Sequence, residues 1–332
     1  MHLLAKTIGA LSLFLAIGGL TTAATAELPL LDPNLPYYRP VEKLSGELKL
    51  GGSNTMSHVA TVWIASFNKF YPEVKISVGV NGSKTAAENV QKGDTHLGLL
   101  SRTITPEEVA SFEKEFGYAP TVLTPCLERT AIYVNKQNPI QGLTLAQLDA
   151  IFGSECKRGA KAPCRSWGQL GLTGKFAKLP VTLHGRTMDT GSQVFLQEAL
   201  LLGSPLRDDI VSHVSNIEIV EAVAKDEGAV GFGGLSYATG EVKPVPLALA
   251  DGQDFVAIDS PEADQGMYPL VRRLQLVVKH DPKKEMNPVE KEFIRYVFSR
   301  LGQEDVVKAG FQAIPAQPAH VALDAVGLGL SR

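Results

Sequence analysis

The sequence predicts an α/β protein whose parallel sheet is covered by helices. Between Leu48 and Arg102 the chain runs strand, loop, helix, strand, loop, helix, strand, loop, and strands that alternate with helices imply parallel pairing. The unit recurs at Val181–Leu200, where a short strand feeds a Gly/Ser/Thr loop and a helix. A length of 332 residues with 44% hydrophobic and 20% charged residues suits soluble globular structure of about two domains.

The chain opens with a targeting segment. His2 and Lys6 precede an apolar run from Ile8 to Leu20, and Ala24-Thr25-Ala26 is a small-x-small cleavage pattern. A signal peptide over residues 1–26 is expected, with cleavage after Ala26. The run is too short for an anchor, which needs about 20 apolar residues. Residues 27–46 carry Pro29, Pro33, Pro36 and Pro40 and read as an extended arm. The mature chain is expected to be periplasmic or secreted. Removing Lys6 takes the formal charge from −3 to −4, which argues against nucleic acid or an anionic membrane as partner.

Leu48-Lys-Leu50 reads as a strand entering Gly51-Gly52-Ser53-Asn54-Thr55-Met56. Val59, Val62, Trp63, Phe67 and Phe70 then recur at helical spacing, and the helix stops before Pro72. Val74 to Val80 alternates as a strand. Asn81-Gly82-Ser83 leads into a helix from Ala86 to Gln91, and Leu97–Leu100 is a strand ending at Ser101-Arg102. Glu107, Glu108, Glu113 and Glu115 mark a solvated helix face. Trp63 and Phe67 are read as core.

In the middle, Thr130–Asn135 is a strand and Leu145–Phe152 a helix. Cys156 and Cys164 flank a polar loop, where the export signal favours a local disulfide; Cys126 is left as a buried thiol. Val181-Thr-Leu183 is a strand delivering His184-Gly-Arg186 and then Asp189-Thr190-Gly191-Ser192, before a helix to Leu200. Ile217–Lys225 is helical with Asn216 as cap, Gly228–Gly234 is a tight strand, and Leu274–Val278 is a strand returning the chain to the first half. Glu290–Leu301 is an amphipathic helix with Phe293, Tyr296, Val297 and Leu301 as its buried stripe. A low-complexity tail begins near Pro315.

Three loops follow the carboxyl ends of strands, where open α/β sheets bind ligands. They place Ser53, Thr55, Ser83 and Ser101 for convergence, with helix-start N–H groups beside them. Arg186 adds a permanently charged fork suited to a carboxylate or phosphate. The loops are neither a Walker loop nor a dinucleotide fingerprint, because GKS, GKT and GxGxxG are absent. No histidine/cysteine cluster suggests a metal, and no cofactor is called for.

These residues carry a family likeness. The chain resembles the PstS-like type II periplasmic binding proteins, the substrate-binding components of bacterial phosphate ABC transporters. The matching stretches are Gly52-Ser-Asn-Thr-Met56, Gly82-Ser83, Leu97-Gly-Leu-Leu-Ser-Arg102 and Arg186-x-x-x-Thr190-Gly191-Ser192. Ile151-Phe-Gly153, Trp167–Gly171, Glu227–Phe232 and Tyr268-Pro-Leu270 follow in the family's order. The resemblance implies two α/β lobes with a ligand cleft between them, lobe 1 over 47–128 and 272–320, lobe 2 over 129–271, and a tail over 321–332. It implies that Thr55, the Met56 N–H and Ser83 hold inorganic phosphate from one lobe, and Arg186, Thr190, Gly191 and Ser192 from the other. Several relatives have Asp where this chain has Ser101, so Arg102 is expected to join the site. Asp189 is either the acceptor of the ligand's proton or a helix cap.

The expected partners are phosphate and the membrane permease of an ABC transporter, for a monomeric protein without a catalytic residue. Two alternatives stay open on the same cleft: a weak secreted phosphatase, which would need an activated nucleophile or a metal, and a receptor for another tetrahedral oxyanion such as sulfate.

Overall fold

The computed structural model describes residues 31–187 and 190–329. The signal segment 1–26, the first arm residues 27–30, Asp189 and the final three residues lie outside the described residues.

The first half builds as its pattern dictates: β1 (Gly46–Gly52), α1 (Asn54–Phe70), β2 (Val74–Val80), α2 (Ala86–Lys92), β3 (Leu97–Leu100) and α3 (Pro106–Phe116). β1 pairs in parallel with β2 and β3. The β1–α1 turn depends on Gly52, whose φ is +129° and whose added Cβ would lie 2.8 Å from the Ala86 Cβ and against the Leu99 carbonyl. Only glycine combines that backbone with so close a neighbour.

β4 (Thr121–Asn135) is longer than the six residues read from the sequence, and it passes from one hydrophobic core to the other. Its register against the antiparallel strand β8 (Val271–Val278) shifts so that Thr124 and Pro125 stand opposite the single residue Gln275. A proline has no N–H to give a ladder, so a bulge is where it fits. Between them come α4 (Leu145–Phe152), β5 (Thr182–Arg186), α5 (Gly191–Phe195), β6 (Val211–His213), α6 (Asn216–Lys225) and β7 (Ala229–Gly234). The ten-stranded sheet runs β2-β1-β3-β8-β4-β7-β5-β6, and short strands at Val242–Pro244 and Gln312–Ala313 add to β4. β5 is parallel to β6 and β7.

The first core gathers Leu48, Leu50, Trp63, Phe67, Leu276 and Phe293. The second gathers Tyr133, Phe152, Trp167, Leu183 and Phe232. Both indoles are satisfied, Trp63 donating to the Gly302 carbonyl and Trp167 to that of Gly228, each at 2.9 Å, as a buried tryptophan requires. The arm is strapped onto the first core: Leu35 is buried, the Arg300 N–H donates to the Pro36 carbonyl, and the Tyr38 hydroxyl donates to Glu292.

Several expectations are corrected. The residues read as a tail form a helix, α9 (Ala316–Ala325), after α7 (Pro288–Val297) and α8 (Arg300–Lys308). Ala316, Ala319, Ala322 and Leu323 are buried, so alanines spaced by three make an apolar stripe inside what looked like low complexity. The helix expected to reach Leu301 ends at Val297. Ser299 caps α8 by accepting from the Gly302 N–H, and Leu301 is exposed. Ser215, not Asn216, caps α6.

The Cys156–Cys164 bond is absent: both cysteines, and Cys126, are buried free thiols. Other contacts pin that loop. Asp149 accepts from the Arg158 N–H, and Arg207 donates to the carbonyls of Ile151 and Cys164.

Candidate functional site

Four chain segments meet around a cavity of about 390 Å³. The first is the start of α1. Ser53 caps it, accepting from the Met56 N–H at 3.3 Å, and Thr55 projects from its first turn, 6% exposed. The second and third are the turns after β2 and β3. There the Ser83 and Ser101 hydroxyls lie 3.1 Å apart, and the Ser101 N–H donates to the Ser83 hydroxyl at 3.0 Å. The fourth is the end of β5 and the start of α5, where Thr190 caps the helix by accepting from the Gln193 N–H. Arg186, Thr190, Gly191 and Ser192 line the cavity from this side.

Arg186 is 6% exposed. Its Nη1 donates to Asn216 on α6 at 3.4 Å, and its Nε is buried without a hydrogen-bond partner among the described residues. Burial pushes its pKa below the ordinary arginine range, while Tyr237 and Glu218 work in the opposite direction. A guanidinium nonetheless stays charged in a folded protein. The cavity thus presents one buried cation with an unused donor, ringed by hydroxyls and helix-start N–H groups. Such a set binds a small anion with several acceptor oxygens.

Of the residues expected from sequence, Ser53, Thr55, Ser83, Ser101, Arg186, Thr190, Gly191 and Ser192 come together at the cavity. Met56 does not line it, and its N–H is already given to Ser53. Arg102 does not line it either. Its fork is taken up by Glu108 at 2.7 and 2.8 Å, a carboxylate that is itself fixed by a capping box with Thr105. Asp189 lies outside the described residues. His184 is not at the cavity and pairs instead with His213 at 3.0 Å.

One buried cation beside the site escaped the sequence reading. Arg272, in β8, is 3% exposed and is ion-paired with the equally buried Glu128 of β4. Its Nη1 donates to the Ser101 carbonyl at 3.0 Å, and its Nη2 to Thr55 at 3.2 Å and Ser192 at 3.0 Å. The available signal was Arg272-Arg273 just before the strand Leu274–Val278. Charges placed at the head of an otherwise apolar strand mark either an exposed end or a buried polar centre.

Known proteins resemble this chain along most of its length. The model of the PBP superfamily domain matches residues 39–300. The phosphate-binding protein PstS of Pseudomonas aeruginosa is 36% identical over 323 residues, covering 97% of this chain and 99% of that protein. Protein SphX of Synechococcus elongatus is 25% identical over 284 residues, 84% of this chain and 81% of its own length. Among solved structures, an ABC-type phosphate transport receptor from Vibrio cholerae superposes with a TM-score of 0.63 at 21% identity, covering 80% of this chain and all of that one. At that identity the likeness speaks for the fold.

Proposed function

The chain belongs to the PBP superfamily, among the PstS phosphate-binding proteins, and on that premise we propose that it captures inorganic phosphate in the cavity and delivers it to the permease of an ABC transporter. It is a binding protein rather than an enzyme, in keeping with the relative it matches along nearly its full length. The observation that carries the ligand class is Arg186, a buried guanidinium whose Nε has no partner among the described residues, set among hydroxyl-bearing turns. An anion site of that kind gains most from a ligand whose every oxygen can accept.

In this reading Thr55, Ser83 and Ser101 hold the anion from a lobe comprising 47–128 and 272–320. Arg186, Thr190, Gly191 and Ser192 hold it from a lobe comprising 129–271. Closure of the two on the ligand brings both sets into contact. The signal segment is removed near Ala26, and the mature protein works in the periplasm or outside the cell as a monomer.

The test is calorimetric titration of the ligand-stripped mature protein with phosphate and, separately, with sulfate, each at two pH values. Tight phosphate binding with weak sulfate binding is expected. Equal binding of both would reassign the ligand to tetrahedral oxyanions in general, and binding of neither would overturn the reading.

A further inference from the structure

We infer that Arg272, held by Glu128, is a positioning residue that fixes the hydroxyls of Thr55 and Ser192 as donors toward the ligand, so that the cleft selects the more ionised form of its oxyanion. The inference rests on the anion-binding reading above.

The geometry is specific. Arg272 and Glu128 face each other in register on β8 and β4, the two neighbouring strands that pass between the cores. Both side chains are 3% exposed. Arg272 is not among the residues lining the cavity, but two that are, Thr55 and Ser192, receive its Nη2. Those two hydroxyls come from α1 and α5, on opposite sides of the cavity.

The chemistry then leaves little freedom. A guanidinium has no lone pair with which to accept, so at 3.2 and 3.0 Å both hydroxyls must be acceptors. Each hydroxyl proton is thereby turned away from Arg272 and can be given to a ligand in the cavity that both residues line. A hydroxyl that accepts from a cation is also polarised into a stronger donor. Ser83 likewise accepts from the Ser101 N–H, but the Ser101 hydroxyl 3.1 Å away can take its proton, so Ser83 is not fixed in the same way. Donors fixed in this way reward bare oxygens and penalise an oxygen that carries a proton, which would need an acceptor.

Glu128 keeps the device in place. Its Oε2 meets Arg272, and its Oε1 has no partner among the described residues. Each charge therefore depends on the other for compensation, and removing one alone would leave an uncompensated buried ion. Among the described residues, the other charged side chains lining the cavity are Arg186 and Lys84. Glu218 and Tyr237 act on Arg186 through space.

The experiment is phosphate titration of the mature protein and its variants by calorimetry from pH 5.5 to 8.5, with thermal melting to monitor folding. The main variant is the double substitution Arg272→Met with Glu128→Leu, which removes both charges together. Wild-type affinity is expected to rise with pH as phosphate loses its second proton. The double variant is expected to bind about tenfold more weakly at high pH, the scale of a hydrogen bond strengthened by charge, with a visibly flatter pH profile. An unchanged affinity and profile in the folded variant would overturn the inference. So would a loss equal at every pH, which would mean that the pair only supports the fold.

Should the double variant fail to fold, Arg272→Lys decides the matter. It keeps the charge and loses the fork, so a flatter profile supports the inference and a wild-type profile refutes it. Absence of phosphate binding by the wild type would instead count against the functional reading itself.

Discussion

Gly191 presses against Ser101 across the cavity. A Cβ built on Gly191 would collide with the Ser101 hydroxyl and lie 2.9 Å from the Ser83 hydroxyl and 3.1 Å from the Ser101 carbonyl. The start of α5 therefore meets the turns after β2 and β3 with no room for one methyl group. Gly191 has the ordinary backbone of a helix start and no positive φ, so the demand for glycine here is one of space and not of backbone conformation.

Gly191→Ala should hold these segments apart. Overpacking of this kind costs about 1–3 kcal/mol, which corresponds to roughly 5- to 150-fold weaker phosphate binding. The melting temperature of the ligand-free protein should change little, because the contact lies at the cavity and not in either core. Titration calorimetry with parallel melting checks both parts. Wild-type affinity in this variant would show that the Gly191–Ser101 contact is not needed for binding.

Arg186→Ala should nearly abolish anion binding and leave the fold intact. Truncating one partner of a desolvated charge pair costs about 2–5 kcal/mol. Among the described residues Arg186 makes one hydrogen bond, to Asn216 at 3.4 Å, so the fold loses little when it goes. Arg186→Lys should recover only part of the loss, because a point charge does not replace the fork. Phosphate titration of the three proteins measures this, and equal affinities would remove Arg186 from the site.

The reach of the sequence reading has a physical pattern. Ser53, Thr55, Ser83, Ser101 and Arg186 were legible because each stands at the carboxyl end of a strand, and that position follows from local pattern. The choice between Arg102 and Arg272 was not legible, because it turns on which carboxylate each arginine meets. Arg102 meets Glu108, six residues away, through a local cap. Arg272 meets Glu128, 144 residues away, through strand pairing that no local pattern encodes. Cysteine spacing likewise fitted a bridge, while Arg158 and Arg207 do the pinning. The Val297–Ser299 break hid inside an unbroken apolar stripe, its only sign being a serine able to cap.

Glu290, half-buried in the first turn of α7, should make stability fall as pH rises. Desolvation pushes its carboxyl up to about 7 from the ordinary 4.5. For a raised acid, the folded state holds the proton more tightly than the unfolded state. Its contribution is therefore full below about pH 4.5 and is lost as pH climbs through 7. Glu290→Gln is neutral throughout, so its melting temperature should exceed that of the wild type at pH 8, with the gap narrowing toward pH 5. A gap that does not vary with pH would assign the effect to packing.

The acid side should be governed in part by His184. Its Nδ1 lies 3.0 Å from His213 Nε2, a contact that holds one shared proton and cannot survive with both rings fully protonated. Burial lowers the His184 pKa from its ordinary 6.5, His213 lowers it further, and Asp226 opposes them. Glu218 stands 3.7 Å from the far nitrogen of His213. A base with a depressed pKa is kept neutral by folding. Its contribution is therefore complete above about pH 6.5 and is lost as pH falls through the lowered value, because the unfolded chain takes up the proton first. His184→Gln keeps a hydrogen-bonding side chain without an imidazole that titrates. It should cost stability at pH 7.5, yet lose less than the wild type on going to pH 5. Melting curves at both values for both proteins read this directly, and equal acid losses would place the titrating group elsewhere.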